Sequence, residues 1–249
     1  MNSALETRNL CKSFGALTVA DQINFRLVSG ARHALIGPNG AGKTTFVNML
    51  TGRLAPTSGQ IMIGGEDVTA LGQAARVKRG LGRTFQINTL FPNVPVVDNV
   101  AFAIAERKGV AWGMFRPAGR YRDVLDEAMA LLDTLGLLED ARTTVAGLPY
   151  GKQRLVEIAI ALGLRPRVLL LDEPAAGVPT LESHRILEVL AALPKDIAIL
   201  IIEHDMDLVF RFAQRITVLT QGAILVEGDP AEIAADPQVR AVYLGERHA

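Results

Sequence analysis

The chain carries a single cysteine, Cys11, among its 249 residues. A disulfide within the chain and a thiolate metal cluster are thereby excluded, and Cys11 reads as a small packing residue. Long apolar runs are missing as well. The best ones, Val168–Leu171 and Ile197–Ile202, fall far short of the roughly 18 residues that crossing a bilayer requires, and the second is stopped by Glu203. Met1 to Leu10 includes Glu6 and Arg8 and lacks the apolar stretch of a signal peptide, so the chain reads as cytoplasmic and soluble by itself. Charge of one sign is also lacking, because 26 basic side chains balance 26 acidic ones. A neutral total supplies no long-range field for nucleic acid or an anionic membrane, although local basic patches survive it. What remains is an ordinary globular balance of 49% apolar and 21% charged residues, which excludes disorder and collagen-like repeats. The length suits one large domain, or a core domain with an insert.

Periodicity divides the chain. In Gln22 to Leu27, apolar Ile23, Phe25 and Leu27 alternate with polar neighbours, as a half-buried strand requires. A short run, Ala34–Ile36, then leads through a glycine-rich turn into a helical stretch from Lys43 to Gly52. Pro56, Ser58 and Gly59 mark a turn, and Gln60 to Ile63 reads as strand. From Asp123 to Leu135, the residues Leu125, Met129, Leu132 and Leu135 fall at helical spacing and predict one apolar stripe. Lys108 to Arg120 shows no period and reads as an exposed insert. The last third alternates strand and helix: Val168 to Asp172, Leu181 to Leu190, Ile197 to Ile202, then helix from Asp205. Strands separated by helices imply a parallel sheet covered on both faces.

Gly37-Pro38-Asn39-Gly40-Ala41-Gly42-Lys43-Thr44 matches the phosphate-loop pattern in full, between a strand and a helix. Its glycines let backbone N–H groups turn inward as an anion nest, and the following helix start adds positive potential. In such loops the lysine, here Lys43, reaches the β- and γ-phosphates, and the hydroxyl of Thr44 ligates Mg²⁺. The strand Val168–Leu171 ends in Asp172, which can hold the Mg²⁺ shell. Glu173 follows, and a carboxylate there can polarise a water for attack on the γ-phosphate.

Further elements come in a telling order. Gly80-Leu81-Gly82-Arg83-Thr84-Phe85-Gln86 precedes a helical middle; Leu148-Pro149-Tyr150-Gly151-Lys152-Gln153-Arg154 opens a helix before the acidic strand; His204 follows the Ile197–Ile202 strand. Over nearly its whole length the chain resembles the ATP-binding subunits of ABC transporters. The resemblance implies an α/β fold of one domain. A P-loop NTPase core (1–90 and 165–249), a mixed sheet flanked by helices with an antiparallel β subdomain, holds an inserted helical signature subdomain (91–164). It implies ATP hydrolysis with Mg²⁺, with Asn39, Gly40, Ala41, Gly42, Lys43, Thr44 and Thr45 around the phosphates and Phe14 stacked on adenine. By the same resemblance Gln86 is expected to touch Mg²⁺ and the attacking water and to sense the membrane partner, Thr44 and Asp172 to complete the metal set, Glu173 to be the base, and His204 to contact the γ-phosphate. His33, His184 and His248 read as surface or satisfied residues.

In this family two such domains bind head to tail, and the signature, Pro149, Tyr150, Gly151 and Lys152, serves the ATP of the other subunit. Here Pro149 replaces the usual serine and offers neither hydroxyl nor N–H. Lys152 replaces the usual glutamine, and Pro174–Val178 lacks the usual aspartate. The chain's own half-site is intact, so the asymmetry favours a heterodimer with a different ATPase subunit over a homodimer. The 80–86 segment, Pro174-Ala175-Ala176-Gly177, Ile202-Glu203-His204-Asp205-Met206, the terminal Tyr243-Leu244-Gly245-Glu246 and the insert near 107–121 resemble the branched-chain amino acid branch of ABC importers. That implies two transmembrane permease subunits, a periplasmic binding protein acting indirectly, no nucleic acid, and a place on the cytoplasmic face of the inner membrane. Importers for amides, urea or aromatic acids share the pattern. A non-transport ABC ATPase and a small-molecule kinase are the rival classes, the kinase having no use for the signature or His204.

Overall fold

Alternating burial along the first thirty residues produces an antiparallel sheet in the computed structural model, which describes residues 3–84, 90–110 and 119–244. Its long strand β1 (Ser3–Phe14) pairs with both β2 (Leu17–Ile23) and β3 (Arg26–Val28). The single strand expected over 22–27 is therefore two. Ile23, Phe25 and Leu27 are buried as the alternation demands, but the ladder breaks between them. At the break Asn9 and Gln22 both adopt positive φ, and Asn24 Oδ1 accepts from the Asn9 N–H at 2.9 Å. Such local bonding by asparagine competes with the strand ladder and kinks it. Cys11 belongs to the same irregularity. It is half-buried, with Sγ accepting from the Gln22 N–H at 3.2 Å, and is not part of the core.

The chain continues through β4 (Arg32–Ile36), α1 (Lys43–Leu50), β5 (Ser58–Ile63), β6 (Glu66–Asp67), α2 (Gln73–Lys78) and β7 (Leu81–Arg83). Strand β5 joins the antiparallel sheet beside β1. Three helices follow: α3 (Val96–Arg107), α4 (Gly119–Thr134) and α5 (Tyr150–Gly163). The remainder is β8 (Val168–Asp172), α6 (Thr180–Ala192), β9 (Ala198–Ile202), α7 (Met206–Phe212), β10 (Arg215–Thr220), β11 (Ala223–Gly228), α8 (Pro230–Ala235) and α9 (Pro237–Leu244). The second sheet has the order β11-β10-β4-β9-β8-β7, parallel except for the β10–β11 hairpin.

Ala34–Ile36 of β4, Val168–Leu171 of β8 and all of β9 are apolar without alternation because both faces of these strands are covered. One face, with Leu35, Leu170 and Leu200, packs with Phe46, Val47 and Met49 of α1 and with the antiparallel sheet. The other, with Ile36, Leu171 and Ile201, packs with α3–α7. Within that second layer half of the stripe expected along α4 holds. Leu132 and, just past the helix end, Leu135 are buried as expected, but Val124 and Ala128 take the covered places of Leu125 and Met129, which are exposed. The small Ala128 lets α4 approach its neighbours closely, so the buried face is defined by fit and not by the largest side chains. Among the described residues, no helix is long and apolar enough to cross a membrane.

His33 on β4 is fully buried but only half satisfied, because its Nδ1 has no hydrogen-bond partner among the described residues. Its Nε2 lies 2.8 Å from Thr217 Oγ1, and its ring meets Phe25 edge-on. Burial holds its pKa down at about 4, against a partial upward pull from Glu227. Between pH 6.5 and about 4 the unfolded chain therefore takes up a proton that the fold refuses, and stability falls as pH drops through this window. We expect the melting-temperature advantage of the wild type over His33→Asn to shrink from pH 7 to pH 5; an advantage that stays constant sinks this account.

Candidate functional site

The phosphate loop leaves the buried end of β4 and is gripped from two sides. A Cβ on Gly37 would lie 2.2 Å from the Leu219 carbonyl oxygen, and one on Gly42 2.7 Å from that of Val19. Gly42 also adopts a left-handed conformation (φ 99°) as the residue before α1. Only glycine meets both demands. No side chain caps α1, so the N–H groups of its first turn are available to an anion. Lys43 folds back over the loop, its Nζ donating to the carbonyls of Gly37 at 2.5 Å and Pro38 at 3.0 Å. Asn39, Gly40 and Thr44 are exposed, Thr45 and Gly42 are half-buried, and Ala41 is buried. The loop is thus built as an open cradle with its cation already inside.

Asp172 ends β8 on the same edge of the sheet. Burial pushes its carboxyl above the ordinary value, the neighbouring Arg83 pulls it back, Glu173 raises it and Lys43 lowers it. Arg83, at the end of β7, donates from Nη2 to Asp172 Oδ2 at 3.0 Å and from Nη1 to Asn48 Oδ1 of α1 at 3.4 Å. The pair is nearly buried, with side-chain exposures of 10% and 7%, so it is a fixed feature and not a solvated surface bridge. Sequence reading gave Arg83 no role, since nothing local reveals a partner 89 residues away.

Glu173 turns outward with φ 48°, its N–H donating to the Ile202 carbonyl at 2.9 Å. A non-glycine residue at positive φ is uncommon and marks a side chain aimed by its surroundings. Across from it, His204 Nδ1 lies 3.5 Å from Glu173 Oε1, and the imidazole is largely exposed. Beneath both sits Glu203, only 2% exposed. Its Oε1 accepts from the Ala175 N–H at 3.3 Å and its Oε2 from the His204 N–H at 3.3 Å. Burial pushes the Glu203 carboxyl up, while these two backbone donors draw it down. Sequence reading treated Glu203 as the residue that ends an apolar run and as one position of the 202–206 stretch, and gave its side chain no role.

The structure thus brings together Asn39–Thr45, Asp172, Glu173 and His204 at the C-terminal edges of adjacent strands β4, β8 and β9, where open α/β sheets place their ligands. Phe14 lies apart on the β1–β2 hairpin. It is exposed, opposite Leu17, with Lys12 Nζ 5.0 Å from its ring centroid, and Val19 of the same hairpin abuts Gly42. Gln86 lies outside the described residues. The signature opens α5 with Pro149 as its N-cap residue and no side-chain cap. Tyr150 packs near Gly177, within 3.4 Å of where a Cβ would stand, and accepts at its hydroxyl from Arg154 Nη2 at 2.6 Å. Gly151 is buried against Glu182, and Lys152 Nζ is 2.7 Å from Asp140 Oδ2. The chain's own signature therefore touches the segment after Glu173 and not its own phosphate loop.

The family model described as ABC transporter matches residues 20–176, and that described as branched-chain amino acid ATP-binding cassette transporter matches 223–249. The sequence is 38% identical over 249 residues to the high-affinity branched-chain amino acid transport ATP-binding protein BraF of Pseudomonas aeruginosa, covering 97% of this chain and 98% of that protein. It is equally 38% identical over 251 residues to LivG of Escherichia coli K12, a protein of the same description, with 97% and 98% covered. Among solved structures, the ADP conformation of an ATP-binding cassette of an ABC transporter superposes with a TM-score of 0.85 at 28% identity, covering 98% of this chain and 100% of that one. A nucleotide-free ATP-binding cassette superposes with a TM-score of 0.83 at 28% identity, covering 98% and 99%.

Proposed function

The chain belongs to the ABC transporter family, among the ATP-binding subunits of its branched-chain amino acid branch, and from that premise we propose how its residues divide the work. It is an ATPase whose hydrolysis powers an importer, and cassettes of this kind work as dimers with transmembrane components. The observation that carries the residue assignment is the meeting of Lys43, Asp172, Glu173 and His204 on one sheet edge.

In this reading the first-turn N–H groups of α1 and the Lys43 ammonium hold the β- and γ-phosphates of ATP, and Phe14 offers its exposed ring to adenine. Thr44 and Asp172 present one hydroxyl and one carboxylate, the sparse oxygen set that suits Mg²⁺, which keeps waters and phosphate oxygens for the rest of its shell. Mg²⁺ bound there, with Gln86 as a further ligand, supplies charge neutralisation of the phosphates. Glu173 takes the proton of the attacking water, and His204, 3.5 Å from it, donates toward the γ-phosphate. Residues 91–164 form the signature subdomain of a single ABC ATPase domain, and Pro149, Tyr150, Gly151 and Lys152 face the ATP of the second subunit.

That second subunit is a different ATPase chain. Pro149 deprives the signature of a hydroxyl and an N–H, so a partner with a complete signature is needed to serve this chain's ATP. Two permeases carry the substrate, a periplasmic binding protein delivers it, and the subunit sits on the cytoplasmic face of the inner membrane; the substrates are branched-chain amino acids. The test is reconstitution of the chain with its permeases and the second ATPase subunit. We expect turnover to rise when the binding protein is loaded with leucine, isoleucine or valine. Full coupled turnover by a homodimer of this chain overturns the heterodimer, and stimulation by amides, urea or aromatic acids alone overturns the substrate.

A further inference from the structure

A carboxylate as deeply buried as Glu203 is costly unless its geometry is needed. Among the described residues no lysine or arginine pairs with it; its neighbours are two backbone N–H groups and the imidazole of His204, whose Nδ1 is 3.9 Å from Oε2. The two N–H groups belong to different segments. One is that of Ala175, in the tight turn that follows Glu173, where the Ala176 N–H donates back to the Glu173 carbonyl at 3.0 Å. The other is that of His204. An ionised carboxylate has two acceptor oxygens and no hydrogen to donate, so each donor here has an oxygen of its own, whereas a glutamine offers one oxygen for both.

We propose that Glu203 is a positioning residue that ties the turn carrying Glu173 to the backbone of His204, so that base and histidine stand and move as one unit. The strand ladder holds the two only up to Ile202, whose carbonyl accepts from the Glu173 N–H. Beyond that point Glu203 links the two backbones, beside the 3.5 Å approach of the His204 and Glu173 side chains. It never touches nucleotide; it acts by keeping the exposed imidazole and the positive-φ Glu173 in register across the place of the γ-phosphate. Displacement of either segment, by nucleotide or by a partner subunit, is thereby passed to the other. The inference rests on the assignment of Glu173 and His204 to hydrolysis.

The experiment uses the assembled transporter with Glu203→Gln and Glu203→Met, each alone and combined with His204→Ala. Gln keeps one acceptor and sets an amide N–H against the second donor; Met offers none. We expect turnover to fall about tenfold in Glu203→Gln and further in Glu203→Met, with ATP affinity changed by less than about twofold. In the His204→Ala background the Glu203→Gln loss should shrink to about twofold or less, because residues acting through one another are not additive. Unchanged turnover in Glu203→Gln, or a full additive loss beside His204→Ala, overturns the proposal. So does a parallel loss of nucleotide binding and melting temperature, which marks plain structural support. If His204→Ala and Glu173→Gln alone leave turnover unchanged, the underlying assignment falls, and that result is distinct from a failure confined to Glu203.

Discussion

Glu173→Gln is expected to bind Mg-ATP with wild-type affinity and to hydrolyse it about a thousandfold more slowly, within the range that positioned acid–base catalysis supplies. Glutamine matches glutamate in shape and keeps an acceptor, but it cannot take a proton from water near neutral pH. Backbone effects cancel in this comparison, because both residues meet the same φ of 48° and the same N–H bond to Ile202. The loop lysine and Asp172 are untouched, so binding and chemistry separate. Phosphate release in a single-turnover assay, set beside a nucleotide titration, checks both halves. Turnover persisting at the wild-type rate removes Glu173 from the role of base.

Lys43→Ala should act one step earlier and weaken ATP binding by about thirtyfold or more, the loss expected when a charge-assisted bond to phosphate is removed. The substitution leaves α1 intact, since alanine is a good helix former at its first position. It also withdraws the ammonium that lowers the Asp172 carboxyl, leaving Arg83 as the nearby cation that does so. Titration with a fluorescent ATP analogue measures the change. An affinity within about threefold of wild type shows instead that the backbone nest alone holds the phosphates.

How much of this site was readable in the sequence follows from distance along the chain. The phosphate loop is contiguous, and each glycine and the lysine act within a few positions of one another, so the pattern alone located it. The acidic strand end and His204 were readable because a buried strand precedes each. Arg83 and Glu203 were not, because what defines them is a partner in another segment: Asp172 for the first, the Ala175 N–H 28 residues away for the second. The α4 stripe misled for a related reason. Leu125 and Met129 fit the helical period as well as Val124 and Ala128 do, and only the neighbouring helices decide which face is covered. The break between β2 and β3 was hidden because burial alternates straight through it while the backbone does not.

The edge of the parallel sheet has a consequence for folding. Its strands are neighbours in space but not in sequence, and the Arg83–Asp172 contact alone spans 89 residues. Contacts of this reach form late and slowly, because the loop-closure entropy comes before any reward. The phosphate loop after β4 and the Asp172, Glu173 and His204 cluster after β8 and β9 come from distant parts of the chain, so the complete edge exists only once those strands have met. ATP is therefore a ligand of the finished sheet alone, and each nucleotide bound draws the folding equilibrium toward it by mass action. The fuel of the importer also acts as a stabiliser of the subunit that burns it.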